Sequence, residues 1–131
     1  MIKKEEQLQK ELSKTAEAAL KSLGKKNATV GVFFLPSGEM STLKYKYLGK
    51  RRKFVDVLAF PEPEGFPTPK ARKKFLGEIY LNRLLLRGER ERLFHLLFHG
   101  VLHILGFSHE GRRDTIEMEK LEDKLLEKFC I

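Results

Sequence analysis

Apolar positions recur at helical spacing in some parts of the chain and at strand spacing in others. A first helix ending at Gly24 is predicted by apolar residues three or four positions apart among Lys, Glu and Gln: Leu8, Leu12, Ala16, Ala19 and Leu23. Residues 28–35 are rich in Val and Phe and predict a buried strand that Pro36 breaks. Residues 54–60 and 76–81 predict two further short strands.

The second half of the chain predicts two more helices. Residues 89–105 are apolar almost all round, which is typical of a helix at the centre of a domain, and Gly106 ends it. Asp114 is the predicted N-cap of a last helix reaching Lys128, whose inward-facing residues are expected to be Ile116, Leu121, Leu125 and Leu126. Residues 40–48 fit a strand and a helix equally well, and their own pattern leaves this open.

Composition limits the class of protein. The 131 residues predict one domain, 1–131, and 41% hydrophobic with 34% charged residues is typical of a globular chain. The net charge of +8 favours a polyanion such as nucleic acid, although solubility explains it equally well. The one cysteine, Cys130, the charged start and the absence of a long apolar segment predict a cytoplasmic protein with no membrane partner. The oligomeric state is left unknown.

Histidines form the most specific chemical pattern. His95, His99 and His103 follow one another at intervals of about one helical turn, so two neighbouring histidines can share a metal ion. The outer two, His95 and His103, lie about 12 Å apart and cannot. Gly106 permits a turn that brings His109 back toward His103, the nearest histidine of the helix. This turn selects His99, His103 and His109 as ligands. Three imidazoles leave one position for water, so we expect one catalytic Zn²⁺ per chain. His95 is expected to be a supporting or core residue.

The same spacing is similar to that of metzincin peptidases except at one position. Gly100 stands where those enzymes carry the glutamate that acts as general base, which argues against proteolysis. Glu110 can replace it only if the fold brings it to the metal. Any one of the histidines alone would be interpreted as an ordinary core residue, but three in register favour a shared metal.

Three segments together resemble the YbeY family of bacterial endoribonucleases, which mature ribosomal RNA. They are His99-Gly-Val-Leu-His-Ile-Leu-Gly-Phe-Ser-His109, Asp56-Val-Leu-Ala-Phe-Pro61 and Leu76-Gly-Glu-Ile79, and they span most of the chain. The chain departs from the family pattern in two places. Ser108 replaces the aspartate that usually precedes the third histidine, and Tyr47 is followed by Leu48 where the family has arginine. Arg51 and Arg52 are therefore the candidates for that arginine, in contact with the scissile phosphate.

The resemblance implies a fold and a function. The fold is expected to be α/β (mixed α+β), a small mixed sheet of three or four strands covered by helices, with a zincin-like metal-binding helix in the centre and residues 40–48 as a short helix. The function is expected to be zinc-dependent cleavage of single-stranded RNA in ribosomal RNA processing and small-subunit maturation. The alternatives are a non-catalytic, zinc-stabilised ribosome-binding or RNA-binding protein and, less favoured, a zinc metallopeptidase.

Two basic clusters are candidate contacts for the RNA phosphates. They are Lys44, Lys46, Lys50, Arg51, Arg52 and Lys53, and then Lys70, Arg72, Lys73 and Lys74 beside a predicted loop at residues 61–69. A solvated surface explains the second cluster equally well. Ribosomal RNA and the small ribosomal subunit are the partners that the family resemblance implies.

Overall fold

The computed structural model describes residues 2–52, 54–63, 73–108 and 110–131. In these ranges the chain forms four α-helices, three strands and one short 3₁₀ helix. In chain order they are α1 (Ile2–Ser22), β1 (Ala28–Leu35), α2 (Ser37–Leu48), β2 (Val57–Pro61), β3 (Lys74–Asn82), the 3₁₀ helix (Arg83–Arg87), α3 (Arg90–Ile104) and α4 (Arg112–Lys128). None of the described helices is both long and apolar enough to cross a lipid bilayer.

The three strands form one mixed sheet with the order β1-β3-β2. Strand β3 pairs in parallel with β1 and antiparallel with β2, so Ile79 lies between Val32 and Ala59 at the centre of the sheet. This confirms the expected mixed sheet covered by helices, with three strands in the described residues. The predicted loop at residues 61–69 lies mostly outside them, and Pro61 itself belongs to β2.

Alternation along β3 gives the sheet two different faces. Ile79 and Leu81 are fully buried in the main core, together with residues of α1 and α3. Tyr80 points the other way and borders a smaller core that α2 covers through Met40. Helix α3 also contacts α1 and α4, so the predicted central helix does lie in the middle of the fold.

Residues 40–48 belong to a helix, as the family resemblance implied. Helix α2 buries Met40 completely but leaves Tyr47 and Leu48 exposed, so only part of its length has an apolar face against the sheet. Gly49, at φ +66°, ends the helix in the left-handed conformation that glycine adopts without a steric penalty. The weak apolar face explains why the pattern of these residues alone was ambiguous.

Two predicted element starts are wrong. The strand predicted from residue 54 begins at Val57. Its partner β3 ends at Asn82, whose N–H donates to the carbonyl of Asp56, so residues 54 and 55 lie beyond the end of β3. The last helix begins at Arg112 with Gly111 as its N-cap, so Asp114 lies in the first turn instead of capping it.

One predicted core residue of the last helix is also wrong. Ile116 is 45% exposed, because α4 is buried along the side that carries Met118, Glu122 and Leu125. Two residues before Met118, at 100° of turn per residue, Ile116 lies on nearly the opposite side of the helix.

Candidate metal centre

The three histidines of α3 lie on the side of the helix that meets α4. The side chain of His95 is 49% exposed and that of His99 is 28% exposed. His95 is therefore not buried among apolar side chains, which excludes the interpretation of this histidine as a core residue. These histidines are more open to solvent at His95 and more covered, against α4, at His99.

Glu122 of α4 is the partner that sequence reasoning missed. Its carboxylate is buried and forms hydrogen bonds with two of these histidines. Oε1 lies 3.2 Å from Nε2 of His95, and Oε2 lies 2.5 Å from Nδ1 of His99. Burial raises the pKa of Glu122, but the hydrogen bonds and charges of His99 and His95 outweigh burial and hold the pKa below its ordinary value. Glu122 is therefore a carboxylate that accepts one hydrogen bond from a ring N–H of each imidazole.

This carboxylate determines the tautomer of His99. An ionised carboxylate can only accept, so Nδ1 of His99 must carry the proton and its Nε2 does not carry one when the ring is neutral. A carboxylate behind an imidazole is the usual support of a metal-ligating histidine, because it orients the ring and increases the basicity of the other nitrogen. Glu122 gives His99 the form that a metal ligand needs.

His103 directs its Nε2 at the same point. The two Nε2 atoms of His99 and His103 are 3.0 Å apart, close to the separation of about 3.4 Å between two nitrogens that bind one tetrahedral zinc ion at about 2.1 Å. The ring centroids are 4.5 Å apart and nearly perpendicular. The two rings are at hydrogen-bond distance, and the same separation fits two nitrogens that share one ion, so the shared ion stays a prediction.

The chain reverses direction just after His103. Gly106 has φ +97°, its N–H donates to the carbonyl of His103, and the N–H of Phe107 donates to the carbonyl of Leu102. This pair of bonds is a Schellman motif, which ends α3 as predicted and turns the chain. His109 itself lies outside the described residues, and within them no group of three potential ligands is close enough to hold an ion. The assignment of His109 stays a prediction.

Gly100 faces the sheet. A Cβ atom at this position would lie 3.1–3.3 Å from three side-chain carbons of Ile79, which is tighter than ordinary contact. The glycine therefore allows α3 to pack closely on β3. A glutamate at residue 100 would be forced against Ile79, which supports the argument against a peptidase. Glu110 is exposed just before α4, and its predicted substitute role is untested.

The candidate arginines do not share the histidine side of the sheet. The guanidinium of Arg51 lies 4.4 Å from the ring centre of Tyr45 on α2, and the carbonyl of Arg52 accepts a bond from Ser41 of the same helix. Helix α2 covers the sheet face opposite to α3. Their contact with a scissile phosphate stays a prediction.

Arg92 is a basic residue on the histidine side that sequence reasoning missed. It precedes His99 by seven residues and His103 by eleven, so helix geometry places the three within about 40° of one another around α3. The guanidinium lies 3.4 Å from a carboxylate oxygen of Asp56, just before β2, and remains more than half exposed. A phosphate can displace so exposed a pairing at small cost.

Sequence signals existed for both missed residues. Glu122 occupies an apolar-face position of the last helix, three residues before Leu125 and four after Met118, where an acidic residue needs a polar partner. Arg92 lies three residues before His95, a spacing that also places it on the histidine side of α3. Neither signal identifies the partner, because that depends on how α4 and β2 pack against α3.

Comparison with known proteins identifies the family. The family model described as endoribonuclease YbeY matches residues 1–130. This chain belongs to the endoribonuclease YbeY family.

Curated relatives carry the same family name. The YbeY endoribonuclease of Aquifex aeolicus is 30% identical over 98% of this chain and 88% of its own length. Those of Chelativorans sp. and Thermodesulfovibrio yellowstonii are each 32% identical, covering 87% and 88% of this chain and 74% and 77% of their own lengths. A solution structure from Thermotoga maritima shares the fold at a TM-score of 0.54 and 20% identity, over 95% of this chain and 85% of that one.

Proposed function

We propose that this member of the endoribonuclease YbeY family uses a zinc site formed by His99, His103 and His109 to cleave single-stranded RNA during ribosomal RNA processing and maturation of the small ribosomal subunit. Family membership supports cleavage of RNA. The observation that carries the metal assignment is the 3.0 Å approach of the Nε2 atoms of His99 and His103, with Glu122 behind His99.

Each described residue has a defined part in this proposal. His99 and His103 present Nε2 atoms to the ion, Glu122 keeps the proton of His99 on Nδ1, and His95 holds the second oxygen of Glu122. When bound, zinc lowers the pKa of a coordinated water toward about 7 and polarises the phosphodiester. Arg92, on the same side of α3, is positioned to neutralise a phosphate of the bound strand.

The first experiment tests metal and cleavage together. Parent protein, His103→Ala and His95→Ala are purified identically, their zinc content is measured, and each is incubated with a labelled RNA that has paired and unpaired regions. We expect about one ion in the parent, its loss in His103→Ala, and cleavage restricted to unpaired regions. His95→Ala is the matched control, and it should keep the metal because it contacts Glu122 and not the ion.

Each contrary outcome has a definite meaning. Equal cleavage by parent and His103→Ala would attribute the nuclease to a contaminant. RNA binding without cleavage under any divalent metal would favour the non-catalytic, zinc-stabilised alternative.

The part assigned to Arg92 has its own control on the same helix. Arg92→Ala should reduce RNA cleavage about tenfold, the effect of losing one charge-assisted hydrogen bond, without releasing the metal. Arg90→Ala removes an equal charge from nearly the opposite side of α3, where the guanidinium pairs with Glu11 and lies 4.6 Å from the ring centre of Phe94. Equal losses in both variants would contradict the assignment.

A further inference from the structure

Four aromatic rings form a row across the face of the sheet that points away from the histidines. Phe33 of β1 stacks on Tyr80 of β3 at a centroid distance of 5.5 Å, and Tyr80 meets Phe60 of β2 edge-on at 5.9 Å. Phe60 in turn meets Tyr47 of α2 edge-on at 5.7 Å. The row therefore spans all three strands and continues onto the helix that follows β1. We call these four residues the aromatic row.

Core packing explains only the middle of the row, where Phe60 and Tyr80 pack against the smaller core under α2. Phe33 is 39% exposed and Tyr47 is 60% exposed, at its two ends, while Tyr80 and Phe60 between them are half-buried. A Cβ atom at Gly31 would lie only 2.7 Å from the ring of Phe33, so this glycine gives the ring space against the strand. The two ends of the row are thus exposed rings, and they flank a middle that is packed against the sheet and α2.

Positive charge borders the exposed end of the row. Nζ of Lys46 lies 5.4 Å from the ring centre of Tyr47. The guanidinium of Arg51 lies over Tyr45, on nearly the opposite side of α2, and so does not border the row. Glu78 also contacts the row, since its carboxylate accepts a hydrogen bond from the hydroxyl of Tyr80. Exposed rings beside a cation suit a ligand that has planar, unpaired bases and a phosphate backbone.

We propose that the aromatic row is a stacking surface for unpaired bases of RNA, with Lys46 contacting its phosphates. The proposal rests on the proposed function, since it identifies where the same single-stranded substrate binds outside the metal centre. Bases in a duplex are already stacked on each other and present no free ring face, so the surface selects single strands. A second copy of the chain is a poorer occupant, because the two apposed faces would bring like charges together.

The chain provides its own optical probe of this surface. It contains three tyrosines and no tryptophan. Tyr47 and Tyr80 belong to the row, whereas Tyr45 lies outside it under Arg51. Stacking of bases should therefore quench the part of the tyrosine fluorescence that comes from Tyr47 and Tyr80. The titrant is a 2′-O-methyl RNA strand, confirmed intact by gel, which separates binding from cleavage. An abasic strand of the same length carries the phosphates without the bases.

The variants distinguish stacking from charge. Phe33→Ala should weaken binding of the base-containing strand about 5- to 150-fold, the range for losing one base–aromatic stack, and should leave binding of the abasic strand unchanged. Phe33→Tyr should restore the affinity. Phe75→Ala is the matched control, since Phe75 has the same exposure, 38%, at the other end of β3 outside the row. Tyr47→Ala, on an exposed helix position, provides a second test if Phe33→Ala does not fold.

The outcomes are decisive in both directions. Quenching by the base-containing strand but not by the abasic one, with loss of affinity in Phe33→Ala or Tyr47→Ala and not in Phe75→Ala, supports the proposal. Equal binding of both strands, or variants that bind like the parent, overturns it. A concentration-dependent dimer that dissociates in the same variants also overturns it, in favour of a second copy.

Turnover separates this proposal from the proposed function. Phe33→Ala should raise the KM for RNA with kcat unchanged, whereas a parent protein that binds the strand but never cleaves it would refute only the enzyme.

Discussion

Replacement of Gly100 tests how closely the histidine helix packs on the sheet. In Gly100→Ala the new Cβ lies 3.1 Å from Cγ2 and 3.3 Å from both Cγ1 and Cδ1 of Ile79. Ile79 is fully buried at the centre of the middle strand and is β-branched, so it has little freedom to move away. The substitution should therefore strain the packing between α3 and β3.

Two opposing effects set the magnitude. Alanine gains about 1 kcal/mol over glycine in a helix interior, whereas overpacking a tight core costs about 1–3 kcal/mol. Gly100→Ala should therefore lower the free energy of unfolding by about 0–2 kcal/mol. Gly100→Glu should lower it by more than about 3 kcal/mol, because it adds a larger side chain and an unpaired buried carboxylate.

Chemical denaturation measures these changes, and the chain offers a matched control. Gly38 lies in the first turn of α2, where a Cβ would meet nothing within 4 Å, so Gly38→Ala should be neutral or stabilising by up to about 1 kcal/mol. Ile79→Val removes the Cδ1 contact, so the double variant with Gly100→Ala should lose less stability than the sum of the two single variants. If Gly100→Ala stabilises as much as Gly38→Ala, the packing argument is wrong.

Three further predictions concern the metal centre, the sheet and the charge. Glu122→Ala should weaken zinc binding about 10- to 100-fold, measured by competition with a chelating dye, while His95→Ala stays near the parent value; equal losses would show that Glu122 does not act through His99. Burial and the bond to Glu78 raise the pKa of Tyr80 to about 12, so the stability due to its proton should be complete below about pH 10 and lost as the pH rises toward 12. Ultraviolet titration of tyrosinate should find this pKa lowered in Glu78→Gln, and an unchanged value would contradict the assigned cause. RNA affinity should fall steeply as salt rises because the net charge is +8, and a flat salt dependence would exclude binding mainly through phosphates.

The amino-acid sequence by itself determined the order of the elements and the spacing of the candidate ligands. Burial of one side of a helix or strand imposes a local period, so β1, β3 and α3 were predicted close to their observed bounds, and α1 close to its observed end. The end of α3 at Gly106 was equally local, because only the backbone of a few residues decides a Schellman turn. The shared approach of His99 and His103 follows from helix geometry alone.

Only the tertiary structure decided which groups from distant parts of the chain meet. Glu122 bonds His95 and His99 across 23 or more residues of sequence, and Asp56 bonds Arg92 across 36. The spacing of residues within one helix or strand cannot predict contacts of this kind. The start of β2 depended on where its partner strand ends. The residues of one strand do not determine how far another strand extends beside it. The aromatic row is likewise a property of the sheet, because register and face, set by the pairing of three strands, place rings from distant segments side by side.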